Sequence, residues 1–327
     1  MRRTIAALYT LIGLSCFCQD LPNIIPPSPE AAALAKFTEV PVSHYTGVPN
    51  ISIPIHTIQQ NGITIPISLN YHSRGVKVGE IAPRYGLGWA LQYGGSISRQ
   101  TRGGVDESQY GYLNNNYDMQ FFTSESKRNA VNLTYTNNPE YDFTPDLFHF
   151  NLNGIAGKFI IDKANDEALI QGFDDLDFDF DNQGTGNFKG IQRFTVTDRH
   201  GNKFYFGVSK DGTRNARNYD DPIENIRIPM GGGIQNTGAS GDNYYNSWQL
   251  MDIETSYGDL ISFYYAAETS RTFRHSYDKV ENTVAVHYSM KLDMRQYQLT
   301  EIRFNKGKLV FQSSSERDDL QGSFTLG

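Results

Sequence analysis

The chain is 327 residues long, carries 36 acidic against 29 basic side chains for a formal net charge of −7, and is charged at only 20% of its positions. Its 20 Tyr, 20 Phe and 30 Gly exclude a disordered chain, which is charge-rich and aromatic-poor, and a helical bundle, which is rich in Ala, Leu, Glu and Lys. The acidic balance argues against nucleic acid as a partner, because phosphate contacts need a basic footprint; the length suffices for one large or two ordinary domains with a sizeable core.

Residues 1–19 read as a secretory signal. Arg2 and Arg3 form a charged start, Ile5 to Leu14 a short apolar run, and Ser15-Cys16-Phe17-Cys18 offers small residues for cleavage. The run is too short for a bilayer span of about 20 apolar residues, and nothing later is long and apolar enough, so no transmembrane helix is expected. Cleavage after Cys18 removes both cysteines of the chain, leaving an exported protein without disulfide, thiolate ligand or cysteine nucleophile. Lipid attachment at Cys16 is the alternative. Gly13-Leu14-Ser15-Cys16 lacks the usual branched or Leu residue three positions before the cysteine, so a secreted or cell-envelope protein without that anchor is preferred. Residues 20–44 follow as a Pro-rich leader with one short helix: Ser28 caps it, Pro29 fits the first helical position, Glu30 suits the positive end, and Ala31 to Lys36 continue it until Val40-Pro41.

From there period-two alternation dominates and predicts an all-β protein of antiparallel hairpins in sandwich- or shell-like sheets. Residues 45–139 form an N-terminal β lobe with its connection. Ile51, Ile53 and Ile55, then Ile63, Ile65, Ile67, Leu69 and Tyr71, alternate with smaller or polar residues around Asn61-Gly62, which predicts a hairpin with one apolar face. Pro54 and Pro66 fall off those rows and point to edges or irregular pairing. An Asn/Tyr-rich connection from Asn114 to Pro139 leads to a hairpin-rich lobe over 140–327. Four segments there share one grammar of strand, Gly-bearing turn and strand: Phe148 to Ile161, Phe194 to Phe206, Leu250 to Tyr264, and Leu299 to Phe311. Arg214 to Tyr244, rich in Gly and Asn and without periodicity, predicts a long loop. After Phe311 little apolar material remains to cover a sheet edge, which makes the chain read as the front part of something longer or as truncated.

Chemistry-bearing motifs are few. Gly86-Leu87-Gly88-Trp89 lacks the third glycine of a dinucleotide loop, since Leu91 stands there, and reads as a turn with Trp89 packed inward. Asp175 to Asp181 spaces its aspartates like the start of an EF-hand loop, but Asn182 and Phe188 occupy the sixth and twelfth positions counted from Asp177, where Gly and Glu are needed; a half-buried strand with Leu176, Phe178 and Phe180 inward is preferred. His44, His56, His72, His149, His200, His275 and His287 are scattered singly, without the paired spacing of a zinc helix, and no Gly-x-Ser-x-Gly elbow occurs. A glycosidase pair is set by spatial separation rather than spacing, and Glu80, Asp106, Glu107, Asp146 and Asp252 are the acids available for one. No catalytic, cofactor-binding or metal-binding residue is assigned, and no cofactor is expected.

One ordered series of motifs is more specific. Tyr45-Thr46-Gly47-Val48-Pro49-Asn50-Ile51-Ser52-Ile53-Pro54-Ile55 is followed by Ile65 to Ser73, Gly86-Leu87-Gly88-Trp89 and Gly95-Ser96-Ile97-Ser98-Arg99. Further on stand Pro145-Asp146-Leu147-Phe148, Gly157-Lys158-Phe159 and Asp198-Arg199-His200-Gly201-Asn202-Lys203. In that order the chain resembles the N-terminal region of RHS/YD-repeat proteins of Bacteroidetes-type bacteria and, more distantly, the front of the B subunit of insecticidal toxin complexes. The resemblance implies a β-rich front region that precedes YD repeats, which in such toxin-related proteins wrap a hollow shell around a C-terminal effector. It implies a scaffold role and brings no catalytic residue with it; this chain ends before any YD-repeat array. The expected partner is the remainder of such a shell or another surface protein. A secreted carbohydrate-binding or adhesin module is the alternative, and a secreted glycoside hydrolase the third reading.

Overall fold

The computed structural model describes residues 49, 51–72, 75, 85–108, 110–114, 125, 142–172, 175–182, 190–229, 235–236, 244–281 and 284–312. The signal at 1–19, the leader and its short helix, and most of the 114–139 connection lie outside the described residues. The described chain is all-β. Its first strands are β1 (Ile51–Gln60), β2 (Ile63–Tyr71), β3 (Trp89–Gln92), β4 (Gly95–Gln100), β5 (Leu147–Leu152), β6 (Ile155–Asp162), β7 (Glu167–Ile170) and β8 (Leu176–Asp181). Then come β9 (Arg193–Asp198), β10 (Lys203–Phe206), β11 (Arg217–Pro229), β12 (Gln235–Asn236), β13 (Tyr244–Glu254), β14 (Leu260–Glu281), β15 (Val284–Phe304) and β16 (Gly307–Val310). No helix among the described residues is long and apolar enough to cross a membrane.

Two compact units are present: residues 1–52 with 70–90, and residues 53–69 with 91–327. In the first, the Gly86–Trp89 turn closes with Trp89 N–H donating to the Gly86 carbonyl at 3.1 Å, and the half-buried Trp89 ring lies 5.2 Å from that of Tyr71. Gly88 has φ +79°, and a Cβ there would stand 2.7 Å from the Tyr71 ring. Glycine is therefore required by both conformation and space.

The second unit is organised by β13. Near its start β13 pairs with β11 (Trp248 opposite Arg217) and with β4 (Trp248 opposite Ile97). Near its end it pairs with β10 (Asp252 opposite Tyr205) and with β14 (Asp252 opposite Ser262). A strand that exchanges neighbours midway lies at a junction of sheets, and Trp248 to Ile253 are all buried. The stretch therefore has no wet face, and its two polar members are bonded within the fold: Gln249 Oε1 accepts Tyr93 Oη–H at 2.8 Å and Asp252 Oδ1 accepts Arg214 Nη2–H at 2.7 Å. From β4 an antiparallel meander continues through β5, β6 and β7; from β10 another runs back through β9 to β8. Between the two meanders the aromatic rows meet. Phe178 lies 5.1 Å from Phe150 and 4.9 Å from Phe159, while Phe194 stands 5.7 Å from Phe148 and edge-on to Trp248 at 5.0 Å. Each such ring contributes about 1.5–3 kcal/mol of burial, so this sandwich-like contact is the centre of the core.

Two expectations need correction. Ile53 and Ile55 are 48% and 49% exposed, while Ile58, Ile63, Ile65 and Ile67 are buried. The hairpin turns on two residues, Asn61 and Gly62, both at positive φ. Gln60 therefore faces Ile63, and odd positions of one strand meet even positions of the other. The two isoleucine rows thus lie on opposite faces of the hairpin. The second correction concerns the loop expected at 214–244. Residues 217–229 are strand β11, paired with β15 from Tyr219 opposite Arg295 to Pro229 opposite Val286. Its register slips between Pro222 and Glu224, an irregularity that accommodates the missing proline donor. Partner strands far along the sequence, not local periodicity, make this segment extended.

Candidate functional site

Alternation along β4 puts Arg99 in line with Ile97, on the side facing the core. Its side chain is 1% exposed. The guanidinium lies 5.1 Å from the centroid of Phe148 and 5.2 Å from that of Trp248, an arrangement that suits a weakly hydrated planar cation. Arg99 Nη2 donates to Glu107 Oε1, and Arg99 Nε stands 3.7 Å from Asp146 Oδ2. Glu107 Oε1 also accepts the Ile191 N–H at 3.1 Å, while the Ile191 carbonyl accepts Trp248 Nε1–H at 3.0 Å. Gly190 precedes Ile191 at φ +123°, where a Cβ would come within 3.1 Å of Glu107 Oε1.

Asp106 and Asp146 complete the cluster by a reciprocal arrangement. The Asp146 N–H donates to both carboxyl oxygens of Asp106, at 3.0 and 3.1 Å. In return the Asp106 N–H donates to Asp146 Oδ2 at 3.4 Å, and Arg102 N–H to Asp146 Oδ1 at 2.8 Å. Both aspartates are 0% exposed. Burial, reinforced by the neighbouring Asp146 charge, pushes the Asp106 carboxyl up to about 8. Asp146 rises by burial to about 6, held back chiefly by the Arg99 charge. The cluster therefore fastens 99–107 to 142–148 inside the core, and each aspartic carboxyl accepts the other's backbone N–H, away from solvent.

A second carboxylate organises the loop between β10 and β11. Asp252 Oδ1 accepts Arg214 Nη2 and Oδ2 accepts the Lys210 N–H, at 2.7 and 2.9 Å. Arg214 also donates to the Phe263 carbonyl at 2.7 Å and lies 4.4 Å over the Tyr264 ring. Beside it, Tyr205 Oη–H and Lys210 Nζ donate to the two oxygens of Glu254 at 2.8 and 2.7 Å. Burial and the Glu254 carboxylate push the Tyr205 phenol up to about 12.

The hairpin turns form a third polar system. Asp198 accepts His200 N–H and Asn202 N–H on Oδ1, at 2.8 and 2.9 Å, and Asn202 Nδ2–H on Oδ2 at 2.8 Å. Asn202 Oδ1 then accepts the Ser256 N–H at 3.0 Å, tying the β9–β10 turn to the β13–β14 turn. In that second turn, Asp259 Oδ2 accepts Asn61 Nδ2–H, and Oδ1 accepts Asn305 Nδ2–H at 2.7 Å. Gln60 Oε1 accepts the Asn305 N–H at 2.8 Å. Side-chain amides and carboxylates thus stitch four hairpin turns to one another, with Tyr257 beside them 77% exposed.

Of the five acids proposed for a glycosidase pair, the structure brings Asp106, Glu107 and Asp146 together, places Asp252 with Arg214, and leaves Glu80 outside the described residues. The aspartate-rich run is strand β8, with Leu176 and Phe178 buried and Asp177 and Asp179 exposed. His56, His72, His149 and His200 are exposed; His149 Nε2 is 3.3 Å from Gln100 Oε1, and the His56 ring is 6.4 Å from that of Phe304. His44 and the side chains of His275 and His287 lie outside the described residues. Sequence reasoning missed Arg99 as the cation of the acid cluster. The signal was available: a charge on the same alternation as Ile97 must be buried and paired. No family model and no curated protein matches the chain.

Proposed function

We propose that the chain is an exported structural β-protein, the non-catalytic front part of an RHS/YD-repeat-type shell or surface assembly. The observation that carries this reading is where the residues of the resemblance go. Arg99 from Gly95–Arg99, Asp146 and Phe148 from Pro145–Phe148, and Phe159 from Gly157–Phe159 converge on one sealed cluster and its aromatic wall. Asp198 and Asn202 from the last motif stitch hairpin turns together. Motifs that serve packing and turn geometry support a scaffold. Among the described residues, the acids that a hydrolase reading would draw on, Asp106, Glu107, Asp146 and Asp252, are already engaged with Arg99, Arg214 and backbone amides. Export rests on residues 1–19, and the partner is the remainder of the shell. The test is co-expression of residues 20–327 with the polypeptide encoded immediately downstream. A YD-repeat product that co-elutes with the chain and forms a hollow particle supports the reading; a downstream product without such repeats, or one that elutes separately, overturns it.

A carbohydrate-binding module is the second reading, favoured by Tyr257, which stands exposed beside the amides and carboxylate of the turn network. Retention on a glycan array that Tyr257→Ala abolishes would establish it.

A further inference from the structure

We infer that the Arg99–Asp106–Glu107–Asp146 cluster is a proton-operated latch: its paired aspartic carboxyls hold one proton at neutral pH, and its release loosens the 101–108 segment from β4 and β5. Three carboxyls and one guanidinium lie in a volume where the side chains of Arg99, Glu107 and Asp146 are 1%, 5% and 0% exposed. Fully ionised, they would hold an excess of two negative charges away from water, a costly state that proteins relieve by taking up protons.

Geometry says where the proton goes. Glu107 and Asp146 both lie within ion-pair distance of Arg99. Asp106 has its carboxyl directed at the Asp146 amide and forms no ion pair among the described residues. The charged groups facing Asp106 are Asp146, Glu107 and Arg99, and those facing Asp146 are Arg99, Glu107 and Asp106. From the other packed elements come Phe148, Trp248 and Ile191, none of them titratable. Asp142, on the segment before β5, accepts the Thr144 amide and is itself raised by burial.

The sign follows. Asp106 titrates near 3.8 when unfolded and near 8 when folded, so between those values the native state binds the extra proton. Stability therefore falls as pH rises through that window and levels off above it. Asp146, near 6 in the fold, steepens the fall at the acidic end. For Asp106 alone the folding equilibrium constant drops roughly 50-fold between about pH 6 and about pH 8.

Urea unfolding of the whole chain across that range, compared with Asp106→Asn, tests the latch. The amide mimics the protonated carboxyl and keeps an oxygen for the Asp146 N–H, so the variant should lack this 50-fold component. Equal pH slopes in the two proteins would overturn the proposal. Should Asp106→Asn fail to fold, the carboxyl ¹³C shift of Asp106 in the unaltered protein decides: a midpoint near 8 supports the proposal, and one near 4 sinks it. Hydrogen exchange supplies the latch readout. The Arg102, Asp106 and Asp146 amides should lose protection above about pH 8, after correction for intrinsic exchange, while β13 keeps its own. Retained protection would show that the proton fastens nothing.

Discussion

Around Asp146 and around Asp259 a carboxylate joins segments distant in sequence, yet the first is sealed beneath Phe148 and Trp248 and the second lies among hairpin turns at the surface. The bonds are of similar length. Their surroundings differ: two charges about 4 Å apart interact by about 1 kcal/mol when water surrounds them and about 4 kcal/mol at the effective dielectric of about 20 that holds even for buried sites. In the sealed cluster a lost partner strands a charge without water to replace it; at the turns, water fills the gap. Equal-looking polar contacts should therefore differ several-fold in what they contribute.

The largest effect is expected at Arg99. Arg99→Ala leaves Glu107 and Asp146 without their cation and opens a cavity between two aromatic rings, which predicts a loss of about 3–5 kcal/mol by chemical denaturation. Adding Glu107→Gln should recover part of that loss, because the stranded carboxylate is then gone; the two sites touch and will not be additive. A loss below about 1 kcal/mol would place the cluster in the same class as the surface turns and break the comparison.

Asn202 is intermediate. It is 6% exposed, donates to the Asp198 carboxylate and accepts from Ser256. Asn202→Ala should cost about 1.5–3 kcal/mol, the range for hydrogen bonds to charged groups. Amide exchange should quicken at Ser256 as well as at His200, since one side chain holds both turns.

The fold was legible wherever one face of a strand is wet. Leu176-Asp177-Phe178-Asp179-Phe180 alternates in sequence and in burial alike, and Asn61-Gly62 names its turn. It was less legible where partners are distant. Nothing within 217–229 announces β11, because its ladder is completed by β15 some 70 residues on, as in Tyr219 opposite Arg295. β14 and β15 pair along their whole length from Ser262 opposite Arg303 to Glu281 opposite Val284, yet the sequence reading took only their core-proximal ends as strands. The face of β1 was available but misread: a two-residue turn pairs odd with even positions, so Ile53 and Ile55 cannot share a face with Ile65 and Ile67. The candidate site was half legible. Three of its acids stood out, but their grouping required the β4–β5 ladder, which sets Arg99 opposite Phe148.

At Asp259 the expected effect is smaller. Asp259→Ala removes acceptors for Asn61 and Asn305 at positions where water can replace them, and should cost about 0.5–1.5 kcal/mol, the net value of ordinary exposed bonds. The unfolding midpoint should fall by less than in Asn202→Ala, and amide exchange should quicken at Asn305.

Lys210 and Glu254 mark the lower limit. Their side chains are 45% and 23% exposed, and the ion pair spans 2.7 Å. The Lys210 ammonium, as hydrogen-bond donor, is the first cause holding the Glu254 carboxyl below its ordinary 4.5. That contribution is present above 4.5 and lost as pH falls through the lower folded value. Because both partners reach solvent, the pair is worth about 0.2–1 kcal/mol and is screened by salt. Lys210→Met should therefore lower stability slightly at neutral pH in dilute buffer, and not measurably at about 1 M salt. The Asp252 contact uses the Lys210 backbone N–H, which the substitution keeps, so loss of the whole 207–216 loop would contradict this reading. A salt-insensitive loss as large as that at Asn202 would mean that exposure is not what separates the sealed cluster from the surface ones.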